Sequence, residues 1–263
     1  MSQPLSRRAF LRHLGILGAG LLSGGRALRG AGGTLPTPPT LMFHTKDRWK
    51  LERIMTLIAD QGYEPIQYAE LLKAIQGVAA LPPKPIILTI DDLGTAYIQP
   101  YFLAMAEVIE AAGYRGVFAV VTNETAARTP KSFAVIRELA ERGWELTSHT
   151  TSHRSLPRIL NSETGALEAE IVGSARRMED GLGISPIALV APYGNVYSEH
   201  RLRVFDERIF ETMRLTSYQF LVGIVGGRVI DTNTERPYYV GRVGPGNDWR
   251  DTDVYLRYFG EGG

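Results

Sequence analysis

Pro85-Ile86-Ile87-Leu88-Thr89-Ile90 is a short apolar run rich in β-branched residues, and it leads directly into Asp91-Asp92-Leu93-Gly94. A run this short and continuously apolar has to be covered on both faces, the condition of an interior strand in a parallel α/β sheet, and Gly94 then provides a turn. Neighbouring carboxylates at the end of such a strand repel each other. They stay together only with a metal ion, another cation or a raised pKa. A surface turn whose Asp pair caps the next helix would use the same residues, so this stretch alone leaves both readings open.

Units of the same kind recur along the chain. Thr40 to His44 reads as a first strand, followed by a helical period with Trp49, Ile54, Leu57 and Ile58 on one face. Tyr63 to Ile66 is a brief extended link and Gln67 to Gln76 a short helix. After the Asp pair come a helix over Ile98 to Ala112, a buried strand over Arg115 to Val121, a helix over Ser132 to Arg142 and a strand over Trp144 to Thr147. Ser162 to Gly181 reads as a helix, Ile187 to Ala191 as a strand and Ser198 to Met213 as a helix. Phe220 to Val243 reads as short strands broken by Gly226-Gly227 and Arg236-Pro237. Strand and helix units that alternate in this way, in a chain of 263 residues, predict one α/β domain with a parallel sheet closed or nearly closed into a barrel.

Cysteine is absent, which excludes disulfides, thiolate nucleophiles and Cys-type metal sites, and leaves His, Asp and Glu as the strong metal ligands. Twenty-nine basic residues against twenty-eight acidic ones make no case for a nucleic-acid partner. At the N-terminus, Ser6-Arg7-Arg8-Ala9-Phe10-Leu11-Arg12 precedes the mildly apolar Leu14 to Leu22, which resembles a twin-arginine export signal, with His13 inside it. The expected division is a signal and linker over 1–33 and a catalytic domain over 34–263, with the Pro/Thr stretch Thr34 to Thr40 reading as a linker. The expected location is periplasmic or extracellular, with no stable membrane span after cleavage of the signal.

In parallel α/β folds ligands gather at the carboxyl ends of strands, where loops converge. Four candidate strands end in chemically active residues: His44, Asp91-Asp92, His149 with His153, and Pro192-Tyr193-Gly194. On a helical turn, imidazoles at 149 and 153 would share one face and could hold one divalent cation. Adding one carboxylate gives a His₂Asp set suited to Zn²⁺, Co²⁺ or Ni²⁺, with positions left for water and substrate. The remaining Asp is then free to act as a base.

Asp91-Asp92, His149-x-x-x-His153 and Pro192-Tyr193-Gly194, in this order, resemble the first three motifs of the polysaccharide deacetylase (NodB-homology) superfamily, carbohydrate esterase family four. The resemblance covers roughly residues 40 to 245. It implies a distorted (β/α) barrel and metal-dependent removal of acetyl groups from N-acetylated sugars. By position it implies Asp91 as catalytic base, Asp92, His149 and His153 as metal ligands, and the Tyr193 backbone N–H as an oxyanion donor. Three departures stand out. Leu93 intervenes before Gly94 where the family has Gly at once; Val190 stands where the family has an Arg that orients the base; no histidine follows His200 to serve as the usual C-terminal catalytic His. Leu41-Met42-Phe43-His44 is similar to the permuted, exported poly-β-1,6-N-acetylglucosamine deacetylases, which implies that His44 is the general acid.

The expected partner is an N-acetylglucosamine-containing polysaccharide or oligosaccharide. The alternative is a non-catalytic sugar-binding or matrix-assembly protein on the same fold. His200 reads as solvent-facing, and Asp248-Trp249-Arg250-Asp251 as an ordinary loop that could line a sugar site. Tyr97, Trp144 and Tyr197 read equally as pocket wall or core.

Overall fold

The fold comes from a computed structural model of the chain, which describes residues 33–94, 99–123, 130–160, 164–197, 204–224 and 227–244. The export-signal residues, Tyr97, His200 and Asp248 to Asp251 lie outside the described residues.

Every pairing in the main sheet is parallel, as the alternating units require. Its strands are β2 (Thr40–Phe43), β3 (Glu64–Ile66), β4 (Pro85–Leu93), β5 (Val117–Val120), β6 (Glu145–Ser148), β7 (Ala188–Val190), β8 (Phe220–Ile224) and β10 (Tyr238–Arg242). The order around the sheet is β10-β8-β7-β6-β5-β4-β2, with β3 joined to the start of β4. The two ends of the sheet meet. Met42 N–H donates to Val243 O at 2.9 Å and Val243 N–H to Thr40 O at 2.8 Å, so the sheet curls into a nearly closed barrel, as the strand-helix alternation predicts.

Alternation along the strands sorts the apolar side chains into two layers. Ile87, Val117, Ala119, Ala188, Val190, Phe220, Val222 and Val240 fill the barrel interior together with Tyr68. Ile86, Leu88, Ile90, Phe118 and Leu146 face outward against the helices. These include Leu51–Asp60, Gln99–Ala111 and Pro130–Glu141; Ala166–Leu182 and Glu207–Met213 cover Leu189 and Leu221 on the other side.

Several boundaries differ from the sequence reading, each for a local reason. The stretch that reads as a linker contains β1 (Thr34–Pro36), which pairs antiparallel with β9 (Val229–Asp231) and buries Leu35. The helix expected from Ser162 starts at Ala166, after Gly165 at φ 76°. Of the helix expected over Ser198 to Met213, the described part starts at Glu207, because Asp206 caps it by accepting the Arg208 N–H at 3.2 Å. Trp49 is 54% exposed rather than on the buried face, since residues Thr45–Lys50 form a 3₁₀ turn and the α-helical period begins only at Leu51. Trp144 is core, packed on Phe118 with its indole N–H on Glu110 at 2.7 Å.

The central strand also runs further than the sequence indicated, because it continues through both carboxylates to Leu93. Ile90 pairs with Phe118 but Leu93 pairs with Val120, three residues advancing against two. One residue is therefore extra, a β-bulge, and Asp92 within it has φ 69°. The bulge reverses the alternation, so Leu93 joins Ile86, Leu88 and Ile90 on the helix-facing side. Gly94 ends the bulge at φ 110°, where a Cβ would come within 2.6 Å of Val121 O. Gly94→Ala is expected to lower stability by about 2 kcal/mol or more, from the strained φ and the backbone clash. A melting temperature within a degree of wild type would contradict that placement of β4.

Candidate active site

The residues at the strand ends converge. Asp92 Oδ1 lies 3.3 Å from His153 Nε2 and 3.5 Å from His149 Nε2. One donor atom from each of these three residues lies within 4.8 Å of the others. Asp91 Oδ2 is 3.8 Å from His149 Nε2, and His44 Nε2 is 3.9 Å from Asp92 Oδ2. All the catalytic and metal-site candidates read from the sequence lie in this cluster, since the Tyr193 ring centroid is 4.9 Å from that of His153.

The backbone explains how neighbours in sequence reach one spot. Side chains at 91 and 92 would point to opposite faces of a regular strand, and the bulge lets both serve the same site. The two histidines do not share a helical turn, contrary to the spacing argument. They sit on a loop after β6 in which Thr150 has φ 66° and His153 φ 59°. Asp92, Thr150, His153 and Tyr193 are all the non-glycine residues with positive φ among the described residues, and all belong to this site or to the loop that carries it. Glu170, on the helix Ala166–Leu182, ties the loop down by accepting the Ser152 N–H at 2.8 Å and the Ser152 hydroxyl. Thr150 Oγ1 accepts the His153 N–H at 3.2 Å.

Each ring and carboxylate is held from behind. His149 Nδ1 pairs with Val190 O at 2.8 Å, which makes Nδ1 the protonated nitrogen and leaves the Nε2 lone pair facing Asp92. Val190, the residue in place of the expected Arg, thus contributes its carbonyl. Asp91 is held by Arg242 of β10, whose Nη1 donates to Asp91 Oδ1 at 2.6 Å and to Thr89 Oγ1 at 3.0 Å. The hold on Asp91, in doubt from Val190 alone, therefore comes from another strand. His44 is fixed by Asp47, which accepts the His44 backbone N–H at 2.9 Å and places a carboxylate oxygen 3.8 Å from Nδ1.

Charge follows the same geometry. Burial alone would raise the Asp91 pKa, but Arg242, His149 and His44 outweigh it and hold the carboxyl below its ordinary range. Asp92 is likewise held low against its burial by the surrounding imidazoles. Burial would lower the His44 pKa, yet Asp47, Asp91 and Asp92 raise it above the ordinary 6.5. Burial and the neighbouring His149 push His153 down, toward the neutral form a metal ligand needs. A donor set of two neutral imidazoles and one carboxylate fits a divalent cation of the zinc type.

The sequence reading missed Arg242, Asp47 and Glu170. Asp47 had a local signal, an acid three residues after a helix N-cap, and Arg242 had a weaker one, a charge at an inward position of the apolar Tyr238–Arg242 strand. Glu170 had none.

Residues 79–207 match the family model for polysaccharide deacetylase. Among curated proteins, none matches. Solved structures show the same fold. A Streptococcus pyogenes deacetylase, PplD, in complex with acetate superposes with a TM-score of 0.62 at 16% identity, over 85% of this chain and 98% of that one. A de-N-acetylase from Aggregatibacter actinomycetemcomitans gives 0.64 at 18%, over 84% and 98%. The BpsB deacetylase domain from Bordetella bronchiseptica gives 0.59 at 21%, over 81% and 96%. Residues 79–207 thus carry a polysaccharide deacetylase domain, and the fold is the distorted (β/α) barrel of the deacetylase structures that the chain resembles.

Chelator-stripped protein is expected to take up one zinc ion per chain in calorimetric titration. His149→Ala and Asp92→Asn should each weaken uptake at least a hundredfold, and Asp91→Asn should change it little; equal affinities across the set would show that these donors do not hold the ion.

Proposed function

We propose that the chain is an exported, metal-dependent hydrolase that removes acetyl groups from N-acetylated amino sugars of a polysaccharide. The observation that carries this reading is the convergence of Asp92, His149 and His153, with Asp91 beside His149 and His44 beside Asp92. Export rests on the paired arginines and short apolar run at the N-terminus. Among the described residues no helix is long and apolar enough to cross a membrane.

Asp92, His149 and His153 would hold zinc, cobalt or nickel, and that ion would supply Lewis acidity and make water a usable nucleophile near neutral pH. The rest is work for the chain's own groups. Asp91, with Oδ1 occupied by Arg242 and Oδ2 turned toward His149, takes a proton from the attacking water. Negative charge growing on the acetyl oxygen is met by the Tyr193 backbone N–H. As the carbon–nitrogen bond breaks, protonated His44 gives its proton to the departing amine, and acetate and a free amino sugar result. The Tyr193 side chain, 68% exposed beside His153, offers an aromatic face to a sugar ring.

A histidine at the end of the first strand, within reach of the Asp pair, supports kinship with the permuted poly-β-1,6-N-acetylglucosamine deacetylases. The alternative of a non-catalytic sugar-binding protein drew on Leu93 and Val190. Leu93 is absorbed as a fully buried core residue beyond the bulge, and Asp91 is held despite Val190, so neither departure favours that alternative.

The test is acetate release from N-acetylglucosamine oligomers by metal-stripped protein given back zinc, cobalt or nickel. Turnover with at least one ion is expected; none with any of them sinks the proposal. His44→Ala should leave zinc affinity unchanged and cut kcat by about 100-fold or more, the usual worth of a positioned acid. The pH profile gives an independent reading. Because the raised pKa keeps His44 protonated above its ordinary 6.5, turnover should persist past that pH and fall as pH rises through the raised value. His44→Ala should lack that alkaline fall.

A further inference from the structure

We propose that Arg242 is a positioning residue for Asp91, and that Val190 is apolar because this guanidinium already occupies the barrel interior. The kinetic part of the proposal rests on the hydrolase reading; the structural part does not.

The strand register shows why position 242 can do this. Val190 pairs with Val222 and Val222 with Val240, so these three inward residues lie at one level across β7, β8 and β10. Arg242 is the next inward residue of β10, one pleat closer to the carboxyl end of the barrel, where Asp91 lies. Strand β10 closes on β2 through Val243, and β2 pairs with β4, so Arg242 lies two strands from Asp91 and its long side chain crosses to it inside the barrel. Arg242 is 0% exposed at its side chain and Asp91 2%.

The bonds fix direction as well as distance. Thr89 Oγ1 donates to Leu41 O at 2.9 Å and so presents its lone pair to Arg242 Nη1, which bonds Thr89 and Asp91 together. With Oδ1 anchored, the Asp91 carboxylate cannot rotate, and Oδ2 stays turned toward His149 Nε2 at 3.8 Å. Stability is a poor reason to keep such a pair, since well-packed apolar residues in place of a buried ion pair are often neutral or stabilising. The surrounding interior is built from such residues: Val117, Ala119, Val190, Val222 and Val240. Aim is a better reason, because a base misplaced by about 1 Å loses on the order of 100-fold in rate. A second guanidinium at 190 would then be a buried cation without a carboxylate.

The experiment compares wild type, R242M, the relocated variant V190R/R242V and D91N for zinc uptake by calorimetry, kcat and KM on N-acetylglucosamine oligomers, and melting temperature. Zinc affinity and KM are expected to stay within about threefold of wild type in R242M while kcat falls about 100-fold. Relocating the guanidinium should regain at least tenfold over R242M. R242M at wild-type kcat overturns the proposal. So does a V190R/R242V protein that fails to fold and take up zinc, or that turns over no faster than D91N, because one guanidinium at either position should satisfy the interior. Wild type that takes up zinc yet releases no acetate sinks the hydrolase reading instead. The pair is then read from melting alone: R242M should melt below D91N/R242M, since only the single variant leaves a buried charge unpaired, and equal melting would overturn the structural part.

Discussion

Adjacent residues on a strand cannot face the same way, and this chain has two adjacent carboxylates that must. The bulge in β4 resolves the conflict. One extra residue between the pairings Ile90–Phe118 and Leu93–Val120 lets Asp91 keep the inward orientation of Ile87 and Thr89, while Asp92, at φ 69°, reaches the imidazoles. Leu93, which looked like an intrusion, is the residue that returns the strand to its outer packing. The chemistry of the site and the packing of the strand are thus decided by one backbone irregularity.

Placing the carboxylates together creates an electrostatic demand that is met separately for each. Asp91 is paired with a buried guanidinium, and that neutral unit can sit in an apolar barrel. Asp92 faces His44, His149 and His153, groups whose protonation is adjustable. Asp47 biases His44 toward the charged form from the other side. The result is a graded arrangement: a fixed cation behind Asp91, imidazoles around Asp92, and a carboxylate, Asp47, behind His44.

The fold was largely legible because its signals are short-range. Continuous apolar runs such as Ile86 to Ile90 and Val117 to Val120 mark strands buried on both faces, and the helices between them force a parallel sheet. The site was legible as residues but not as geometry. His149 and His153 were named from a spacing that implied a helix, whereas a loop with two left-handed residues brings their rings to 4.7 Å. Periodicity cannot reveal a conformation that departs from every period. The supports were hidden for a different reason. Glu170 lies 18 positions from Ser152 and Arg242 lies 151 from Asp91, so nothing local ties either to its partner. Asp47 acts within one turn of His44, and its signal was in the sequence.

Left-handed backbone at Asp92, Thr150, His153 and Tyr193 carries a cost of about 1–3 kcal/mol per residue, together a large share of the roughly 5–15 kcal/mol by which a domain exceeds its unfolded state. Glycine would relieve the strain at each position, but at three of them it would remove the Asp92 carboxylate, the His153 imidazole and the Tyr193 ring from the cluster. The fourth, Thr150, has a structural use, since its hydroxyl accepts the His153 N–H and its own N–H donates to Ser148 Oγ. Such strain persists only where surrounding bonds over-determine it, and here they do. Ser148 is held by Ser174 at 2.8 Å, Ser174 by Tyr218 at 2.8 Å, and Ser152 by Glu170, so the helix Ala166–Leu182 grips the histidine loop at both ends. A loosened helix would free the loop to relax away from Asp92.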